Sequence, residues 1–568
     1  MRKPRSLRWR FLVVATLIIG GGVYLAGVPA PGAQDDEQDG GTPPGGIRLD
    51  SMVQQGTITR NGPLPPPFFL PADQKEALLL KKLEIRRQMA ALVDNNPPSP
   101  AGLPEVVGRE TQVLDAPDTR FHGTESDFVF GRNNQNTQAN LANGLTSSLA
   151  EPAIANNAQH VFAAGNFDHA EFSTDGGLNW TNVPVPGGPA LAPFACCDNS
   201  VIIDNVRNVT FWSILYIDGG ANNGVVRIFV RRNIDQATNC SYDIDPPGDT
   251  TLPDFPHLGL SKNFLYLTTN EITGCCTQSA IVRRFSLPEM ADCAMTVPTT
   301  MFSWPATNVG QRVFVPAENT NNMRRMHWGM HDNTTTFRIF FWPEGQGAPT
   351  TLTRAVSAST FGNADCRGGT GDNDWWDVLS ASILGFLHRG VAVPGGGGRG
   401  KVIFYWPVLP DGSHTQGHIH SAAFSVDDYT VIDQSPIFNN GFCMGLPTVS
   451  ANPNSDIGIA MAQGGQAGGG GSAASPAVGL SDQFSGGLGT FNIFAVPSAT
   501  GTHNRSDARY GDYFEIHPHQ PCANWFVTEV YALIGGTLNT NVMSRYVEFG
   551  RQQSFRCYNA HRSQNPAP

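Results

Sequence analysis

Beyond residue 126 the chain is written in short apolar runs, such as 127–131, 160–165, 209–217, 264–269 and 338–342, each bounded by polar turn residues. Runs of this length between Gly, Pro, Asn and Asp predict strands, not helices. A longer order lies over them, in which Pro or Asp leads a short apolar strand, a polar turn follows and another apolar strand comes next. It begins at Glu151-Pro-Ala-Ile-Ala-Asn, Asp198-Asn-Ser-Val-Ile-Ile-Asp, Phe255-Pro-His-Leu-Gly-Leu-Ser, Leu446-Pro-Thr-Val-Ser-Ala-Asn and Gly511-Asp-Tyr-Phe-Glu-Ile. Weaker units around 323–342 and 374–405 bring the tally to seven. Their starts stand from 47 residues apart (151 to 198) to 72 (374 to 446), against roughly 40 to 50 for a compact four-stranded blade, so several units carry long loops. The expectation is an all-β fold, a β-propeller of about seven four-stranded blades over 126–568. A strand at 128–131, ahead of the first unit, is placed to pair into the last blade and close the ring, which removes exposed edges.

Upstream the pattern differs. Residues 72–93 carry Leu78, Leu79, Leu83, Ile85, Met89 and Leu92 among Lys, Glu and Arg between Pro-rich flanks, the one convincing helix, read as a spacer packed on the main body. From 34 to about 62 the composition is acidic and rich in Gly and Pro, too poor in apolar surface to offset the entropy of ordering. It reads as a tether, so 34–125 is a disordered linker carrying the helix. At the start, Arg2, Lys3, Arg5, Arg8 and Arg10 precede the apolar stretch 11–28, which predicts a signal peptide or, if uncut, a membrane anchor within 1–33. That segment is the sole membrane contact expected of a protein that is secreted, periplasmic or held at the cell surface.

Composition sharpens this picture. Only 15% of residues are charged while 62 Gly and 42 Pro punctuate the chain, which suits many short strands. With 48 acidic against 37 basic side chains the net charge is −11, so no broad basic face is expected and nucleic acid is not a partner. All ten Cys lie from Cys196 onward, and their even number in an exported chain predicts disulfides over metal ligands. The vicinal pairs Cys196-Cys197 and Cys275-Cys276 are expected to bridge separate partners, given the strict geometry of disulfides.

Ser173-Thr-Asp175-Gly-Gly177-Leu-Asn-Trp180 has the spacing of the Asp-box (BNR repeat) and resembles the hairpins of sialidase-type propellers. In such a hairpin the Asp bonds turn amides, the Gly accepts positive φ and the Trp packs beneath. The resemblance implies a fold marker on the outer side of the ring and no catalysis by Asp175. Glu151-Pro, Cys196-Cys-Asp198, Phe255-Pro-His257, Arg509-Tyr-Gly-Asp512-Tyr513 and Arg545-Tyr-Val-Glu-Phe-Gly-Arg551 also resemble segments of secreted bacterial sialidase-like proteins, a group without an established activity. Sialidases carry an early Arg-Ile-Pro, three Arg that clamp the substrate carboxylate, a Tyr paired with Glu and an Asp acid. Here no Arg-Ile-Pro precedes the box and one clear box is present, so sialidase activity is not expected.

Polar clusters at the predicted starts of inner strands supply the candidate site. Arg324, Arg325, His327 and His331 fall together around Trp328, a mixture suited to an anionic sugar. A lyase needs a base to take the proton alpha to a carboxylate and a cation to neutralise the enolate-like charge, parts that His327, Tyr513 and Arg324 fit. Asp198, Asp374 and Asp512 are the candidate carboxylates for glycoside cleavage. Arg325, His331, Trp375, Trp376, Arg509 and His257 are the candidate ligand-binding residues. Each has a plainer reading: the His bond neighbouring blades, the Trp fill the core, and Arg509 with Asp512 beside Tyr513 locks the last blade to the first. Asp372-Asn-Asp374-Trp-Trp-Asp377 has oxygen donors spaced as in a calcium loop but lacks the Gly and distal Glu of the helix-loop-helix type, so a structural calcium on Asp372, Asp374 and Asp377 is the one cofactor entertained. His418 and His420 share a strand face in Ser-His414-Thr-Gln-Gly-His418-Ile-His420 and suit zinc, yet a third ligand is not evident nearby, so solvent or core roles are expected. The glycine runs 395–398 and 464–471 read as surface loops, because Val402 stands where a phosphate-binding loop needs Ser or Thr.

Taken together the sequence predicts a secreted or surface-anchored propeller that binds an extracellular polymer, a glycan in class, on a face collecting Arg324, His327, Asp374, Trp375 and Tyr513. A glycoside hydrolase or polysaccharide lyase using that face, and an adhesion scaffold, are the alternatives, because fold alone does not assign function.

Overall fold

The structure, a computed structural model, describes residues 42–67, 111–112, 128–135 and 151–552, apart from 167–168, 233–237, 246–249, 274–276, 306–312, 319–322, 370, 377–388, 394–399, 454, 482–490, 507–508, 523 and 537–541, together with six helical positions between 74 and 84. The expected leader, Cys275, Cys276 and Asp377 lie outside the described residues.

Seven antiparallel sheets follow one another along the chain and form a seven-bladed β-propeller. Blade 1 runs from Ala153–Asn157 to Thr181–Asn182, blade 2 from Phe194–Asp204 to Cys240–Ile244 and blade 3 from Thr251–Leu260 to Thr296–Pro305. Blade 4 holds Arg325–Asn333, Thr336–Pro343 and Thr350–Ala355; blade 5 begins at Arg389–Val393 and blade 6 at Cys443–Ala451. Blade 7 comprises Glu515–Pro518, Trp525–Leu533 and Val542–Arg551, and its outermost strand is Phe128–Asn134. The ring thus closes as its sequence predicted, with a strand from before blade 1 completing blade 7. Middle strands such as Val209–Ile217 are buried at every position. Blades pack on both their faces, which is why these strands read as continuous apolar runs with no polar alternation.

The repeat at the head of five of the units has a backbone cause. Glu151, Phe255 and Leu446 adopt φ of 57°, 57° and 53°, Cys197 29°, and Gly511 151°. Each precedes the Pro or Asp of the repeat. Left-handed backbone costs an L-residue about 1–2 kcal/mol and breaks the ladder, so the strands slip register at Asp254/His257 and Gly445/Thr448. Pro loses nothing there because it has no N–H to pair. Asp instead reaches across, and Asp198 Oδ2 accepts the Phe255 amide of the next blade at 2.9 Å.

Two expectations are corrected. Residues 42–67 are no free tether: Ile47–Arg48 pairs with the outer strand of blade 4 and Val53–Thr59 with that of blade 3, while Asn61 bonds Ser241 in blade 2 and Pro67 bridges Pro186. Backbone pairing along open blade edges, together with burial of Leu49 and Val53 against the aromatic cluster of blades 3 and 4, supplies what composition alone did not suggest. Leu78, in the described part of the expected helix, is buried against blade 2 and Lys81 Nζ donates to the Gly219 carbonyl at 2.8 Å. Second, Cys196 and Cys197 bond to each other. Cys240–Cys293 and Cys366–Cys443 are further disulfides, no described cysteine is free, and such bonds fit an oxidising compartment. Among the described residues no helix is long and apolar enough to cross a membrane.

Candidate functional site

Three carboxylates meet where the inner strands begin. One oxygen from each of Glu151, Asp198 and Asp512 lies within 4.8 Å of the other two, and all three residues are buried. Like charges so close repel strongly away from water. Arg509 offsets this: its Nη2 stands 3.2 Å from Glu151 Oε1 and bonds Asp512 Oδ1 directly. Glu151 also accepts from Asn166 Nδ2 at 2.8 Å and from the Asp512 amide at 3.0 Å. The Tyr513 hydroxyl accepts the Asn199 amide at 2.8 Å and donates to the Asn199 carbonyl at 2.9 Å. Burial pushes that phenol well above its usual range, so Tyr513 is a neutral tie between blades 7 and 2.

A second polar group follows directly along the chain, where Glu515 and His517 share one face of the Glu515–Pro518 strand by the two-residue period. Glu515 Oε2 accepts the Val201 amide at 3.1 Å, and its Oε1 lies 3.7 Å from His257 Nδ1. His517 sits between two carboxylates, 3.2 Å from Glu318 and 3.8 Å from Glu515. Burial opposes ionisation of both partners, yet the nearby His257 and His517 rings bring Glu515 down to about 2, and the Glu318 and Glu515 carboxylates raise His517 to about 10. Burial, then the Arg389 charge, lowers His257 to about 4. Arg389, lowered by burial to about 10, is still a cation at neutral pH, with its guanidinium carbon 5.8 Å from the centre of the Tyr513 ring. Asp198, Asp512, Arg509, Tyr513 and His257 therefore converge on the axis, and the structure adds Glu151, Glu318, Arg389, Glu515 and His517.

The remaining candidates do not join them. Residues 313–318 lie on the axis side of blade 4, where the Ala317 amide donates to the His327 carbonyl and the Glu318 amide to that of Gly390 in blade 5, both at 2.8 Å. Arg325–Asn333 is consequently the second strand out, and it starts at the opposite end of the ring from the carboxylates. Arg324 is exposed there, and Arg325 bonds the Val426 carbonyl and the Tyr429 hydroxyl. His327 Nε2 is 3.0 Å from the same hydroxyl, fully buried and held neutral by desolvation. His331 packs edge-on against Phe337, Phe361 and Trp406.

Trp375 and Trp376 are core, not a sugar platform. The Trp375 indole donates to the Gly464 carbonyl at 2.9 Å, its ring meets Tyr510 at 5.7 Å, and Trp376 packs on Gly417 and Gly445. The Cys366–Cys443 disulfide pins this loop to blade 6, over the apolar cluster that also contains Phe255 and Tyr513. Asp372 accepts the Asn373 and Asn504 amides, and Asp374 accepts those of Cys366 and Trp376 at 2.9 Å. Burial raises Asp374 to about 6. Both carboxylates are used as turn caps, which corrects the expected face built from Arg324, His327, Asp374, Trp375 and Tyr513.

The 173–180 turn, between the third and fourth strands of blade 1, has the predicted local bonds. Asp175 Oδ1 accepts the Leu178 and Asn179 amides at 3.0 and 2.9 Å, Gly176 and Gly177 take φ of 69° and 81°, and Trp180 meets Tyr546 of blade 7 edge-on. An added Cβ on Gly177 would stand 2.5 Å from Tyr546, so this position needs Gly twice over.

Glu515 and His517 were legible as the i+2 and i+4 neighbours of Tyr513 along the chain. Glu318 and Arg389 gave no such signal, because a loop of uncertain length precedes each. No family model matches the chain, and no curated protein matches it either. Among solved structures it is similar to an alpha-L-arabinofuranosidase from Fusarium graminearum (9% identity, 75% of this chain and 97% of that one, TM-score 0.38). Others are a sialidase from Streptococcus pneumoniae (9% identity, 61% and 68%, TM-score 0.34) and a polysaccharide lyase (10% identity, 78% and 96%, TM-score 0.35). Likeness at this level bears on fold alone, and the seven-bladed architecture rests on the chain's own sheets.

Proposed function

We propose that this chain is an exported propeller that binds an extracellular polymer, a glycan in class, at the axial group of Glu318, Arg389, Glu515 and His517. The observation that carries the reading is a group of acidic and basic side chains drawn from three blades, beside the buried Glu151, Asp198 and Asp512, with the Glu318 side chain still 18% exposed. Charge of both signs in a water-poor recess suits hydroxyl and carboxylate groups, whose hydrogen bonds strengthen there. The glycan class rests on the resemblance of 173–180 and 509–513 to sialidase-like propellers, and export on the basic-apolar leader and the disulfides.

Cleavage is favoured as a second reading by one geometry. His257 lies 4.9 Å from the Tyr513 ring with Arg389 on that ring too, and a neutral imidazole beside a guanidinium is the pairing a lyase uses to remove a proton alpha to a carboxylate. Binding stands first because Tyr513 is neutral and tied at both hydrogen-bonding sites. The test is a panel of acidic and neutral polysaccharides incubated with the full chain, read by retention, by new reducing ends and by absorbance of unsaturated uronates. Retention that falls at least about tenfold in Arg389→Met and Glu318→Gln, with no products, supports binding; products support the second reading. Absence of retention and of products across the panel overturns both.

A further inference from the structure

We propose that Asp411, His414 and His418 form a binding site for a divalent transition-metal ion of the zinc class. The three residues lie on the loop that joins Lys401–Val408 to His418–Ser425 in blade 5, at the end of the blade where its inner strand begins. Each offers a donor atom within 4.8 Å of the other two. Sequence spacing exposed only the His418/His420 pair, because Asp411 and His414 approach it through a turn and not through strand periodicity.

The hydrogen bonds decide which nitrogen each ring presents. His418 Nδ1 stands 3.0 Å from the Gln416 carbonyl, which only an N–H can satisfy, so Nε2 carries the lone pair. His414 Nδ1 is 3.0 Å from both oxygens of Asp411, so Nδ1 is the nitrogen this ring presents beside the carboxylate, with the ring proton on Nε2 once an ion takes Nδ1. On His418, an outer acceptor on Nδ1 with Nε2 turned toward Asp411 is how metal-binding imidazoles are oriented.

Distances fit the same ion. Ligands about 2.0–2.1 Å from a tetrahedral zinc stand roughly 3.3 Å from one another. Asp411 Oδ2 lies 3.7 Å from His418 Nε2, so a shift of a few tenths of an ångström, as order of magnitude, closes that edge. His420 Nε2, 3.2 Å from His418 Nε2, is the nearest further nitrogen. Asp411 is 40% exposed, which gives an ion a route from solvent. Nitrogen-rich donors with a single carboxylate favour zinc, nickel or copper over calcium.

Full-length protein stripped with a chelator and titrated with zinc chloride, by calorimetry and by cobalt(II) absorbance, tests the site. A single ion per chain is expected, with a rise in Tm of about 3 °C at a hundredfold excess over Kd. Asp411→Asn keeps an oxygen for the Ser413 and His414 amides, at 2.7 and 2.8 Å, and so keeps the turn. This variant and His414→Gln are expected to bind more than about tenfold more weakly while the stripped proteins melt with the wild type. If His414→Gln itself loses cooperative melting, Asp411→Asn carries the comparison alone. Wild-type protein that takes up no zinc, or Asp411→Asn that binds as tightly as wild type, overturns the site.

Discussion

Arg509→Met is the sharpest probe of how this ring holds shut. Arg509 is the cation shared by Glu151 of blade 1 and Asp512 of blade 7, and the side chains of the Arg509–Glu151 pair are each 4% exposed. Methionine keeps much of the volume and removes the charge that Glu151 and Asp512 share beside Asp198. Breaking a buried pair in this way costs about 3–5 kcal/mol. Unfolding entropy of about 2.1 cal/mol/K per residue over roughly 400 ring residues gives about 0.8 kcal/mol per degree, so Tm should fall by about 4–6 °C. Differential scanning calorimetry measures this directly. Adding Glu151→Gln to Arg509→Met removes one of the stranded charges and should restore part of the loss, at least about 1 °C. A fall below about 1 °C for the single variant, or a double variant no more stable than the single, would refute the account of an ionic clasp.

Asp175→Ala should cost about 1–2 kcal/mol, a Tm loss of about 1–2 °C, by freeing the Leu178 and Asn179 amides, and should leave polysaccharide retention unchanged; retention lost with the fold intact would contradict a purely structural turn. Thermal melts against pH should show two limbs. Glu515, near 2 in the fold against an ordinary 4.5, contributes fully above about 4.5 and loses its contribution as pH falls toward 2. His517, near 10 against 6.5, contributes fully below about 6.5 and loses it as pH rises toward 10, so His517→Gln should flatten the alkaline limb and, because His517 helps hold Glu515 down, also weaken the acid limb. A chain begun at residue 136 lacks Phe128–Asn134 and bares the edge of Val542–Arg551, and should elute as aggregate in size exclusion while the full chain elutes as a discrete species.

Much of the ring could be read beforehand, for a physical reason. Left-handed backbone followed by Pro or Asp is a local demand repeated at the head of successive blades, so it leaves a repeated trace at 151, 197, 255, 446 and 511. Blade 4 broke that reading: its axial segment, 313–318, carries no such head, and 325–333 was taken for the inner strand in its place. The strap at 42–67 was missed because its affinity for the ring is backbone pairing along open edges, which depends little on side-chain composition.

What the amino-acid order determined by itself was therefore the periodic part: strand lengths, seven units, the closing strand at 128 and the hydrogen bonds of the 173–180 turn, all set by contacts within a few residues or by one repeated blade. Tertiary structure alone decided which polar groups meet. Asp198, His257, Arg389 and Glu515 belong to four blades, and loops of different lengths set their heights along the axis, so no spacing in the chain encodes the 3.7 Å between His257 and Glu515. The same is true of Trp375, whose burial on a disulfide-pinned loop turned an expected sugar platform into core.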